Sequence, residues 1–249
     1  MMREVEATRY VTALREGGSL PGLVEADDDG LYVVKFKGAG QGPDALVAEV
    51  IAGELGRALN LPVPELVVIG ISPELGHAEP DPEIQELIEA SPGINLGMDF
   101  LPGSLPFTVP DDAIHPSFAA DVVWFDALVT NIDRTPRNPN LISWHRKTWL
   151  IDHGAAFFRQ HGDKPLAETA LADTPMLREH VLLPVAGPLG EAGERLTDLA
   201  RGAIEPAVAR VPDEWLGERP NLRRADFIGY LNRRLDGQER FIEELTGDA

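Results

Sequence analysis

Between Thr130 and Gly154 the chain reads TNIDRTPRNPNLISWHRKTWLIDHG, and three of its side chains have types and an order that can do chemistry. Asn138 follows Asp133 by five residues, and Asp152 closes a pair of short apolar runs. An acid, an amide and a second acid in this order can hold a hydroxyl nucleophile and divalent cations around a nucleoside triphosphate. Alone, an Asp-x4-Asn spacing is ordinary loop chemistry, because Asn and Asp cap turns by themselves. Context points further. The pair follows a helix end and leads into Leu141-Ile142, while Trp149-Leu150-Ile151 precedes Asp152. A hairpin here would return Asp152 to the loop holding Asp133 and Asn138. Oxygens aimed at one spot repel unless cations sit among them, and magnesium bridging nucleotide phosphates answers that demand.

Lys35 lies in Leu31-Tyr-Val-Val-Lys-Phe-Lys37, a β-branched and aromatic run that reads as a strand. Its neighbours ask for burial. Snorkelling at a sheet edge accounts for such a lysine, and so does a reach toward the α- and β-phosphates of a nucleotide. Lys37 shares the face of Lys35 by strand parity; the more apolar flanks favour Lys35. Glu49, in a helix predicted from about Asp44 to Asn60, has the sign and place to hold that ammonium group. Gly17, Gly18 and Ser19 could cover phosphates with backbone N–H groups, or form a plain turn. Gly38-Ala-Gly-Gln-Gly lacks both P-loop spacing and its Lys-Ser/Thr end, so a Walker-type site is excluded. No HExxH or GxSxG pattern occurs, which removes the usual zinc-hydrolase and α/β-hydrolase signatures. His153 reads as a packing or positioning residue rather than a ligand.

The elements that must position these residues fall into two regions. Residues 8–71 read as strands with one helix: a hairpin of 20–25 and 31–37 around Asp27-Asp-Asp-Gly30, the helix, then a strand over 65–71. A loop over 72–83 and a short helix near 82–90 follow. Residues 93–103 hold glycines and a proline around an apolar strand and read as a connector. Beyond Ser117 the pattern is mainly helical, with Val122, Phe125 and Val129 on one apolar side of a helix over 118–131. The catalytic hairpin, strands 140–144 and 148–151, interrupts it. Further helices are predicted near 174–182, 190–209 and 222–245.

Length and composition set the outer limits. The 249 residues suffice for one large domain or two lobes, and 43% apolar residues support a sizeable core. With no cysteine, disulfides and thiolate chemistry are excluded. A net charge of -19 opposes nucleic acid and anionic lipid as partners. The Arg219, Arg223, Arg224, Arg233, Arg234 and Arg240 series, interleaved with acids, reads as a solvated helix. The charged N-terminus lacks a secretory core, and no apolar run approaches the ~20 residues of a membrane span, so a soluble, cytoplasmic protein is expected.

With these segments in hand the chain resembles the HipA-like kinases, most closely the stand-alone bacterial kinase domains. The matching segments are Tyr32-Val-Val-Lys-Phe-Lys-Gly, Ala48-Glu-Val-Ile-Ala-Gly-Glu-Leu with Leu61-Pro-Val-Pro-Glu, Asn131-Ile-Asp-Arg-Thr-Pro-Arg-Asn-Pro-Asn140 and Leu150-Ile-Asp-His-Gly154. The Asp-Arg-x-x-x-Asn order is also that of phosphatidylinositol kinases. The resemblance implies an α+β, two-lobed protein-kinase-like fold: a β-rich N-lobe with one helix over 1–97, a hinge over 98–103, and a mainly helical C-lobe over 104–249. It implies ATP and Mg2+ as cofactors and transfer of the γ-phosphoryl group to a hydroxyl, of protein Ser or Thr first. A small molecule or lipid headgroup as acceptor, or a nucleotide-binding pseudokinase, are the alternatives. Asp133 becomes the catalytic aspartate, Asn138 and Asp152 the metal ligands, Lys35 the phosphate contact with Glu49 as its pair. Met98, Asp99, Phe100 and Leu101 would offer backbone groups to adenine. Two features depart from the family: Asp-His-Gly at the DFG-like position, and no extra N-terminal subdomain of the full-length toxins. An antitoxin partner and the toxins' substrate are therefore not carried over.

Overall fold

The structure, a computed structural model, describes residues 2–14, 20–40, 42–77, 79–108 and 114–247. Two compact units emerge, residues 1–47 with 64–102 and residues 48–63 with 103–249. In the first, strands β1 (Arg3–Ala13), β2 (Gly22–Ala26), β3 (Leu31–Lys35), β4 (Leu66–Ile71) and β5 (Gly93–Asp99) close a barrel in the order β1-β2-β3-β5-β4. The β2–β3 hairpin turns at the acidic run: Asp28 Oδ1 accepts the Gly30 N–H at 3.0 Å, and Asp29 takes the left-handed conformation at φ 62°. Alternation then sorts the faces. Val24, Tyr32, Val34, Phe36, Val67 and Ile69 fill the barrel and pack on Ile84 and Ile88 of α2 (Pro82–Glu89). Each such side chain contributes about 1.5–3 kcal/mol by leaving water.

Helix α1 (Pro43–Ala58) groups with the second unit from Ala48 onward. Glu49 is 1% exposed. The second unit is built on α3 (Pro116–Val129), which starts at Pro116 with His115 Nδ1 accepting the Ser117 N–H at 3.3 Å. Rather than one apolar side, α3 buries 119–120 and 122–129 all round, as a helix at the centre of a core does. Around it lie α4 (Leu189–Ala209), α5 (Asp213–Leu216), α6 (Pro220–Asp236) and α7 (Gln238–Thr246). Strands β6 (Leu105–Pro106), β7 (Leu141–Trp144) and β8 (Lys147–Leu150) form a small antiparallel sheet.

Several expectations need correction. Residues 93–99 are not merely a connector: β5 pairs with β3 and β4 and completes the barrel. The charged N-terminal residues form strand β1 from Arg3, because one face of a barrel strand can remain in water. Residues 174–182 fold as a 3-10 turn over Pro175–Glu179 instead of a helix, and 222–245 is two helices broken at Gly237. Arg234 is not solvated. It is 4% exposed and donates to Ala170 O at 2.7 Å and to Ala127 O, a C-terminal carbonyl of α3, at 2.6 Å. No helix among the described residues is long and apolar enough to cross a membrane.

Candidate active site

Helix α3 ends at Thr130, which turns left-handed at φ 50° and releases the chain into the loop 131–140. Such a φ disfavours a β-branched residue. A buried bond offsets it: Thr130 Oγ1 donates to Val129 O, so the Tyr230 hydroxyl, 2.8 Å away, must donate to Thr130. Within the loop, Thr135-Pro136-Arg137-Asn138 forms a tight turn with Pro at its second position, where a fixed φ suits it. Thr135 and Asn138 exchange backbone bonds of 3.0 and 3.1 Å across this turn. The turn folds Asn138 back on Asp133.

Asn138 Nδ2 donates to Asp133 Oδ2 at 2.7 Å, and Asn140 Nδ2 to the same oxygen at 3.2 Å. A carboxylate only accepts, so the nitrogen of Asn138 faces Asp133 and its Oδ1 points away. That oxygen is the end a cation would meet. Asp133 is half-buried and Asn138 exposed, so both can be reached from water. Asn131 Oδ1 accepts the Asp133 N–H at 3.4 Å, fixing the backbone beneath the acid.

The predicted hairpin is present, with Leu141 opposite Leu150 and Trp144 opposite Lys147. His145 and Arg146 make its two-residue turn at φ 50° and 64°, the positive values that match strand twist. Ile151 N–H donates to Asn140 O at 3.1 Å, so the residue before Asp152 is strapped to the loop holding Asp133 and Asn138. Asp152 itself adopts φ 54°, a conformation Asp tolerates better than most residues. The three residues singled out from sequence thus share one loop cluster.

His153 is fully buried, lies edge-on to Phe125 at 5.9 Å, and places Nδ1 3.4 Å from Glu49 Oε1. Lys35 ends β3 in the first unit, opposite Leu96, on the face away from Tyr32 and Val34. The Lys37 Nζ lies 3.5 Å from where a Cβ on Gly93 would stand. At 98–101 the Asp99 and Phe100 amides donate to Glu65 O at 2.8 Å and Leu31 O at 2.9 Å within the barrel. Gly17, Gly18 and Ser19 lie outside the described residues. Sequence reasoning missed Asn131, Asn140 and Arg134 as parts of the site. Their places in Asn-x-Asp-Arg-x-x-x-Asn-x-Asn were visible, but amides in loops commonly only cap turns.

By type, the carboxylate of Asp152 and the outward amide oxygen of Asn138 are oxygen donors of the kind a hard divalent cation takes, with phosphate and water completing its shell. Among the described residues no three His, Asp or Glu side chains gather as a closed metal cage, and magnesium bound beside phosphates does not need one.

No curated protein matches the chain. The solved structure of a Helicobacter pylori proinflammatory kinase, CtkA, is similar over 97% of this chain and 98% of its own, at 14% identity and a TM-score of 0.58. A Golgi casein kinase solved with Mn/ADP bound is similar over 99% of this chain and 74% of its own, at 13% identity and a TM-score of 0.51. At such identities the likeness speaks for a kinase fold. The family model described as HipA-like kinase matches residues 8–239, nearly the whole chain including every described residue of the loop and hairpin, and the chain therefore belongs to the HipA-like kinase family.

Proposed function

We propose that this protein transfers the γ-phosphoryl group of ATP to a hydroxyl, of a protein Ser or Thr in the first instance, with Mg2+ as the cation. The observation that carries the reading is the double donation of Asn138 and Asn140 to one oxygen of Asp133, beside a hairpin that returns Asp152 to the same loop. In this reading residues 1–97 are the N-lobe, 98–103 the hinge and 104–249 the catalytic C-lobe. Lys35 is assigned to the α- and β-phosphates, with Glu49 as its carboxylate. Two amides of 98–101 are engaged in the barrel, so adenine contacts from this segment rest on its remaining backbone groups.

Asp133 Oδ2 accepts from the two amides, and Oδ1 is assigned to the incoming hydroxyl. As the hydroxyl oxygen bonds to the γ-phosphorus and the bond to the ADP bridging oxygen breaks, Asp133 receives the hydroxyl proton. Asn138 Oδ1 and the Asp152 carboxylate would hold the cation, whose chemistry is to neutralise the phosphate oxygens. Most of the rate enhancement comes from positioning and preorganised charge. That the Golgi casein kinase neighbour carries Mn/ADP supports a nucleotide and divalent cation here.

The test is ATP turnover with labelled nucleotide on Ser/Thr peptides, with small-molecule alcohols as a second arm. Asp152→Ala should abolish turnover and cation-dependent ATP binding in calorimetry. A wild-type protein that binds no ATP with Mg2+ present would end the proposal.

A further inference from the structure

Beneath the loop lies a buried polar network that the reading above does not use. Asp126, on α3, is fully buried and accepts from Arg134 Nε at 2.5 Å, His180 Nε2 at 2.9 Å and Asn131 Nδ2 at 3.1 Å. The Leu182 N–H donates to His180 Nδ1 at 3.0 Å, so Nδ1 carries no proton and the donor to Asp126 is Nε2–H. Val181 N–H donates to Arg134 O at 3.0 Å, clamping residues 180–182 onto the loop a second time. From this anchor the Arg134 guanidinium reaches the carbonyl of Asn140, that of Pro139 at 3.5 Å and that of Ile151 at 3.4 Å. Pro139 follows Asn138, and Ile151 precedes Asp152. Asn131 links the same Asp126 to the backbone N–H of Asp133.

We infer that His180, acting through Asp126 and Arg134, is a positioning residue that sets the spacing of the Asn138 and Asp152 oxygens. This rests on the kinase reading of those oxygens. A buried ion pair is weak evidence for stability, since an apolar replacement often serves as well. Its use here is geometric. Arg134 pins backbone carbonyls on two chain segments at once, which no apolar side chain does, and His180 with Asp126 fixes the guanidinium plane. A segment with no sequence motif thereby governs the cation-holding loop, as outer partners of metal ligands do.

The full-length chain is titrated with Mn2+ in the presence of a non-hydrolysable ATP analogue, reading free Mn2+ by electron paramagnetic resonance. ATP turnover and thermal unfolding are followed alongside. His180→Gln keeps an N–H near the Nε2 position; His180→Asn keeps only the acceptor for Leu182. Arg134→Lys keeps the charge without the fork and serves if His180→Asn does not fold. Mn2+ binding should weaken about 10–100-fold in His180→Asn and Arg134→Lys, and stay close to wild type in His180→Gln. Equal thermal losses in both His180 variants with wild-type Mn2+ affinity would overturn the inference. If the wild type binds Mn2+ but phosphorylates no hydroxyl, the kinase reading fails, and the His180→Asn shift still decides the inference. A wild type that binds no Mn2+ overturns both.

Discussion

Single side chains carry the sharpest consequences. Asp133→Asn keeps a group the neighbouring amides can meet and removes the proposed base, so kcat should fall about 10²–10⁴-fold. Nucleotide affinity should hardly change. A labelled-ATP assay paired with calorimetry separates the two, and a parallel loss of binding would make Asp133 a structural residue. Asp126 speaks to pH. Burial pushes its carboxyl up; the Arg134 guanidinium and the His180 imidazole outweigh that and hold it well below the ordinary carboxylate range. A carboxyl lowered on folding contributes stability that is fully present above its unfolded value, about 3.9, and lost as pH falls below it. Asp126→Asn should therefore cost about 3–5 kcal/mol at neutral pH and flatten the acid limb. Denaturant unfolding at a series of pH values checks this; identical acid limbs in both proteins would refute it.

At the scale of elements, α3, α4 and α7 meet through one glycine. A Cβ on Gly193 would stand 2.5 Å from Gln238 Oε1 and 3.2 Å from Trp124 Nε1. These two atoms share a hydrogen bond of 3.0 Å. Gly193→Ala must displace Gln238 or part the helices, and we expect a loss of about 1–3 kcal/mol. An unchanged melting temperature would show that Gln238 swings aside freely. The C-terminus of α3 depends on Arg234, whose guanidinium caps Ala127 O and lies 4.9 Å from the Phe241 ring centre. Arg234→Met keeps much of the bulk but leaves Ala127 O and Ala170 O without this donor, a loss of about 1–3 kcal/mol. Chemical denaturation measures it, and a neutral result would mean that other donors replace the guanidinium.

For the whole molecule, charge is the dominant fact. With 41 acidic against 22 basic residues the folded chain repels itself, and the repulsion is screened by salt. Raising salt from about 0.01 M to about 0.15 M shortens the Debye length from about 30 to 8 Å. The melting temperature should rise over that interval. A falling melting temperature would instead give the larger share to surface ion pairs such as Arg9–Glu25 and Arg240–Asp173, which salt weakens.

The residues determined by sequence alone are those whose chemistry is local. The Asp133–Asn138 spacing and the two short strands that lead to Asp152 depend on neighbours a few positions apart, so the chain order displays them. Tertiary structure decided the rest. Arg234 belongs to an interleaved charged series and becomes buried where it packs against a helix end 107 residues earlier and adds a donor to its Ala127 carbonyl. The charged residues 3–13 become a strand because β4 and β2 take up their backbone groups. His180 acquires a partner only when Asp126, 54 residues away, is buried beside it. Contacts at such separations leave no periodicity or spacing to read, since they are fixed by which faces pack together and not by the order of residues.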